Sequence, residues 1–126
     1  MKKRFILKIS GLSFIAVFSS CLRSHHHTSV SISDSQDVYQ MCAWYDKNKT
    51  RKVQRLLDED LKDHNDMSFK NAKVDAMITL DDRTTFYMRL FPGELQIKLD
   101  KTENSGESCL KMKEVCEDIK DLLTEN

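Results

Sequence analysis

Residues 74–99 read VDAMITLDDRTTFYMRLFPGELQIKL, and the alternation in this stretch decides the fold class. Val74, Ala76, Ile78 and Leu80 recur every second position, as on the buried side of a strand. Phe86, Met88 and Leu90 continue the pattern in a second run, with Tyr87 and Arg89 on its opposite side. Leu95, Ile97 and Leu99 form a third run, with Gln96 and Lys98 opposite. The corners between runs are Asp81-Asp82-Arg83 and Phe91-Pro92-Gly93. Proline fixes φ at the first corner position, and glycine accepts positive φ at the next. Three short runs joined by tight turns predict an antiparallel meander with one apolar face that something must cover.

The flanking segments predict that cover. Toward the C-terminus, Cys109, Met112, Cys116, Ile119 and Leu123 recur at steps of three and four, widened by Val115 and Leu122. Asn104 and Glu107 form a capping pair, so a helix is expected from about Ser108 to Leu123. On the N-terminal side, Ser33 and Gln36 have capping-box spacing, and Val38, Cys42 and Tyr45 fall on one helical stripe. Val53, Leu56, Leu57 and Leu61 form a later stripe. With neither Gly nor Pro between them, the two stripes read as one long helix. The expected architecture is α+β, ordered α-β-β-β-α: a three-stranded antiparallel meander covered by two helices on one face. The folded domain is expected over residues 35–126.

The chain has 126 residues and equal numbers of basic and acidic side chains, 20 of each. The balance hides an asymmetry, because Lys2, Lys3, Arg4 and Lys8 lie among the first twenty residues, which contain no acid. Setting those residues aside leaves 16 basic against 20 acidic side chains, an unfavourable composition for binding nucleic acid. The same twenty residues have the three parts of an export signal. Lys2, Lys3 and Arg4 form the positive start, an apolar run extends from Phe5 to Phe18, and Ser19 and Ser20 are the small residues before a cleavage point. Lys8 shortens the apolar run below the length of a comfortable membrane span.

Phe18-Ser19-Ser20-Cys21 resembles the lipobox of bacterial lipoproteins, with Phe18 standing where that family prefers an aliphatic residue. The resemblance covers only the first twenty-one residues. It implies a signal peptide over 1–20, lipidation of Cys21, and a periplasm-facing protein held at the inner or outer membrane by a lipid anchor; a protein partner in the envelope is expected from that compartment and the small size of the domain. Two or three acyl chains hold a domain stably where one does not. The alternative is an ordinary secretory signal cleaved near Ser20, which leaves Cys21 free to pair. Residues 21–34, CLRSHHHTSVSISD, have the polar composition of a tether. His25, His26 and His27 read as part of that linker rather than as metal ligands, because no Cys or carboxylate completes a set beside them.

With Cys21 lipidated, Cys42, Cys109 and Cys116 remain in an oxidising compartment. Cys109 and Cys116 share a helical face about 10 Å apart, beyond the roughly 7 Å reach of a disulfide. The expected bridge therefore joins Cys42 to Cys116, or else to Cys109. No nucleophile elbow, metal-protease motif, phosphate loop, calcium loop or C-x-x-C pair occurs, so no catalytic residue, metal site or cofactor is predicted. Asp58, Glu59, Asp60 and Asp63 read as a solvated helix face, and the His64 that follows as an incidental surface residue. The candidate binding patch is Trp44, Tyr87, Arg89 and Phe91, aromatics around one guanidinium; packing at the core edge is the competing reading. The function expected is a small protein-binding module, either an immunity or inhibitor lipoprotein or a secretion-system assembly factor. The alternatives are a small-ligand or enzymatic envelope domain and a structural envelope lipoprotein.

Overall fold

The structure is a computed structural model that describes residues 28–62 and 68–125. The leader, Cys21, His25 to His27, Asp63 and His64 lie outside the described residues. The chain runs as β1 (Ser29–Asp34), β2 (Val38–Trp44), a 3-10 turn (Lys47–Lys49), α1 (Thr50–Asp60), β3 (Val74–Thr79), β4 (Thr85–Phe91), β5 (Glu94–Asp100), a second 3-10 turn (Lys101–Glu103) and α2 (Gly106–Thr124). The class is α+β. The sheet, however, has five strands in the order β1-β2-β5-β4-β3, all neighbours antiparallel.

The meander of residues 74–99 forms as its alternation requires. Phe86, Met88 and Leu90 of β4, with Leu95, Ile97 and Leu99 of β5, lie fully buried in one core. What the expected architecture lacked is the hairpin before it. Residues 38–45 contain two superimposed patterns: Val38, Cys42 and Tyr45 at helical spacing, and Tyr39, Met41, Ala43 and Tyr45 at strand spacing. The second pattern prevails, because Tyr39, Met41 and Ala43 continue the buried face of β5 through pairings with Leu99, Ile97 and Leu95. The long first helix is thus a correction: a strand occupies its first half, and the helix begins only at Thr50. Residues Ser29–Asp34, expected in the tether, form β1, with Val30 and Ile32 packed against the core. Ser35 closes this hairpin, its hydroxyl donating to the Val38 carbonyl at 3.1 Å and accepting from the Val38 amide at 3.2 Å.

Both helices cover the same face. α1 contributes Val53, Leu57 and, at its C-cap, Leu61; α2 contributes Met112, Val115, Cys116, Ile119 and Leu123. The cap of α2 is Ser105, whose hydroxyl accepts from Ser108 N at 3.0 Å, one residue from the position expected. Asn104 instead fastens the strand ends, accepting from Thr85 N at 2.8 Å and donating to the carbonyls of Thr85 and Asp100.

The cysteine pairing is a second correction. Cys109 and Cys116 carry free thiols, so neither bridges to Cys42. The reason is topological. Successive side chains of a strand point to opposite faces, and Tyr39, Met41 and Ala43 of β2 face the helices. Cys42 therefore faces away, beside Gln40, whose amide lies 3.7 Å from its sulfur. A pairing read from shared helical stripes fails once one partner sits on a strand. Cys116 is buried under the sheet, where desolvation and then Glu117 push its thiol up to about 12. A thiol so held is a small apolar core residue and a poor nucleophile.

Gly93 joins three elements at one end of the sheet. It takes φ +78, its carbonyl accepts from Tyr45 N at 3.0 Å, and its amide donates to the Thr50 hydroxyl at 2.9 Å. A Cβ there would stand 2.9 Å from the Tyr45 carbonyl oxygen. Gly93→Ala combines a left-handed penalty with that clash, and should lower unfolding stability by about 2 kcal/mol or more in urea titrations. The opposite end of α1 holds a carboxyl in an unfavourable place. Burial first, then Asp118 and Glu59, raises Asp60 to about 6, and its Oδ2 is buried without a hydrogen-bond donor. A carboxyl whose folded pKa exceeds its unfolded value favours folding while protonated, and opposes it once ionised. Stability from this group therefore falls as pH rises from about 4 through about 6. Asp60→Asn should raise the melting temperature above that window and give no gain below it, a difference that thermal melts at several pH values would read.

Candidate functional site

With both helices on one side, the other face of the sheet carries no described element. The strand registers specify its rows. One row runs Ser31, Cys42, Gln96, Arg89, Asp75 across the five strands; a neighbouring row runs Trp44, Glu94, Phe91. A third runs Gln40, Lys98, Tyr87, Met77. All four residues of the sequence-derived patch therefore lie on this face. Trp44 is on β2, and Tyr87, Arg89 and Phe91 are the outward residues of β4, each half-buried. None of the four belongs to the core cluster, which lies on the opposite side of the sheet.

Arg89 organises the patch. Its guanidinium sits 4.5 Å from the centre of the Phe91 ring, donates from Nε to Glu94 at 2.8 Å, and donates from Nη1 to Asp75 at 3.2 Å. The Glu94 side chain is only 13% exposed, so that bond is shielded from water and stronger than a typical surface pair. These contacts, Glu94 foremost, raise the Arg89 pKa and fix its charge. Asp75 also accepts from the Tyr87 hydroxyl at 2.5 Å. Burial and Asp75 raise the pKa of that phenol, which stays a neutral donor. The result is a set of aromatic surfaces braced by a carboxylate–guanidinium–carboxylate chain. Little side-chain freedom remains to be lost on binding, a property of efficient contact residues.

Asp75 and Glu94 are the members of this network that sequence reading missed. Each stands directly across from a patch residue in the register, Asp75 from Arg89 and Glu94 from Trp44 and Phe91. Opposite charges on alternate positions of predicted neighbouring strands were the available signal. Gln40, Cys42 and Gln96, in the middle of the face, are buried, whereas Met77 on the edge strand β3 is 62% exposed. Between them lies a hollow of about 400 Å³ lined by Val38, Met77, Thr85, Tyr87, Lys98 and Asp100, among others. Desolvation lowers the Lys98 pKa there.

The remaining sequence candidates take structural places. Asp58 accepts from Phe69 N at 2.6 Å and from the Ser68 hydroxyl at 3.2 Å, and so pins the segment after α1. Among the described residues, no group of three or more His, Cys, Asp or Glu side chains is arranged to hold a metal ion. No described helix is long and apolar enough to cross a membrane. Compared with protein-family models, with curated proteins and with solved structures, the chain matches none.

Proposed function

We propose that the chain is the precursor of an exported, lipid-anchored envelope protein whose folded domain binds a protein partner through the helix-free face of its sheet. The observation that carries the binding reading is the convergence of Trp44, Tyr87, Arg89 and Phe91 on that face, with Arg89 fixed between Glu94 and Asp75. Aromatic and arginine side chains that are already ordered supply most of the energy of typical protein interfaces. Export and the anchor draw their support from the leader and from Cys21 behind Ser19 and Ser20. A toxin or lytic enzyme held inactive, or a secretion-system component held in place, are the two partner classes considered. Acyl chains on Cys21 would keep the domain where either is met.

The face also supplies the contrast with a ligand-binding or enzymatic domain. Among the described residues, the hollow beside Tyr87 is lined by a lysine, a tyrosine, acids and apolar groups, with no His or Cys. The geometry favours contact over chemistry. The test is a photocrosslinker introduced at Met77, on the rim, in the protein at its native level. Phe91→Ala and Arg89→Ala are then made in that background. Each truncation should weaken partner capture by about 2 kcal/mol, roughly thirtyfold. Capture that persists in both variants, with melting temperatures unchanged, would sink the assignment of this face.

A second reading concerns the fate of Cys21. Its support is that Cys42 is disulfide-bonded while Cys109 and Cys116 are free. Cys21 is then the cysteine able to close that bond within one chain, and its sulfur cannot also carry a lipid. Such a bond would bring the residues beside Cys21 onto the helix-free face, in competition with an outside partner. Intact mass of the processed protein separates the two readings. Lipidation shows acyl mass on an N-terminal Cys21. The disulfide shows no acyl mass, together with alkylation of Cys109 and Cys116 alone after unfolding without reductant.

A further inference from the structure

The composition is acidic beyond the leader, yet the positive charge within the domain is not evenly spread. Lys47 lies on the 3-10 turn before α1, Arg51 and Arg55 lie on α1, and Lys70 and Lys73 lie on the segment that leads into β3; all five are exposed. They line two adjoining hollows of about 200 and 470 Å³ that share Arg51 and Gln54. Among the described residues, the one acid in these walls is Asp58, whose two oxygens are occupied by Phe69 N and the Ser68 hydroxyl. Among the described residues, ion pairs form at Arg89, Lys101, Lys111 and Lys113 and at none of these five cations. Five unpaired cations at close quarters repel one another, and a surface of opposite sign relieves that cost.

The position of this surface in the fold indicates which anionic surface it fits. Ser29 pairs with Trp44, Trp44 pairs with Glu94, and Glu94 follows Pro92, which lines the larger hollow. The chain therefore enters the domain at the same end of the sheet as the cations. Seven residues lie between Cys21 and Ser29, and the eight steps span at most about 28 Å when fully extended. An anchor at Cys21 confines this end, and not the acidic length of α2, to the neighbourhood of the bilayer.

We infer that the basic surface formed by Lys47, Arg51, Arg55, Lys70 and Lys73 docks on the phosphates of anionic lipid headgroups. It would orient the domain with α1 toward the membrane; this rests on the anchor reading above. Juxtamembrane cations gain attraction from anionic lipid within a Debye length, and lose it as salt rises. The orientation leaves the Trp44–Phe91 face standing beside the bilayer rather than against it, accessible to a partner in the same compartment.

The experiment uses the whole chain reconstituted with phosphatidylcholine vesicles, with or without phosphatidylglycerol. Lysines are acylated and mapped by peptide mass. Labelling of Lys47, Lys70 and Lys73 should fall several-fold when phosphatidylglycerol is present, while Lys111, Lys113 and Lys120 on α2 keep their labelling. High salt should erase the difference, and Arg51→Glu with Arg55→Glu should reduce the protection about tenfold without changing the melting temperature. Equal labelling of both lysine groups in both vesicles overturns the proposal. Inorganic phosphate protecting the same lysines in neutral vesicles would also overturn it, by showing a site for a free anion. Protection that appears only on adding an acidic envelope protein would overturn it in favour of a protein contact. Flotation with neutral vesicles reports the anchor alone. Flotation without protection leaves the anchor and removes the docking, whereas protection without neutral flotation removes the anchor and leaves the docking.

Discussion

The ladder between β2 and β5 is the constraint on which the rest of the molecule depends. It pairs Val38–Trp44 with Glu94–Asp100 along their full length and joins two units that are each incomplete. The β1-β2 hairpin alone has no cover, and the meander alone leaves β5 as an open edge. Once joined, Tyr39, Met41 and Ala43 extend the apolar face of β5, making it wide enough for two helices side by side. Gly93 then ties the strand turn to Tyr45 and to Thr50, so the sheet and α1 meet at a defined angle.

Legibility in the sequence followed the strength of each periodic signal. Residues 74–99 carry a single period, broken by turn chemistry of known geometry, and they fold as read. Residues 108–123 carry a single helical period and form α2. The failure lies at residues 33–45, where helical and strand spacings coincide, and where no local feature reports that β5 offers an edge. Only the tertiary partner, about 50 residues away, decides between the two periods. The disulfide error follows from that one error, since Cys42 changes faces when its segment becomes a strand. The shared face of Tyr87, Arg89 and Phe91 was legible because they belong to a strand read correctly. Trp44 joined them for a different reason: its register with Glu94 places it there.

The two faces of the sheet divide the physical roles in this small domain. One face stores the apolar contacts that hold the fold. The other is polar and aromatic, with charges paired locally, as at Arg89, Asp75 and Glu94. The unpaired cations sit apart from both, at the end where the chain enters. Asp82 shows the contrasting arrangement. It is held down to about 2 by Thr84 and Lys111, fastening the β3–β4 turn to α2 with a satisfied pair. Charges that serve the fold are matched, and the cations around α1 are not.

The strand order also bears on how the chain folds over time. Trp44 and Glu94, partners at one end of the central ladder, are about 50 residues apart, and the pairing waits until most of the chain is present. A sheet whose middle seam closes last folds more slowly than one built from neighbours alone. Under the export proposed above, this delay would have a use. The segment to be passed through a membrane would stay unfolded while the leader is recognised, and the seam would close on the far side.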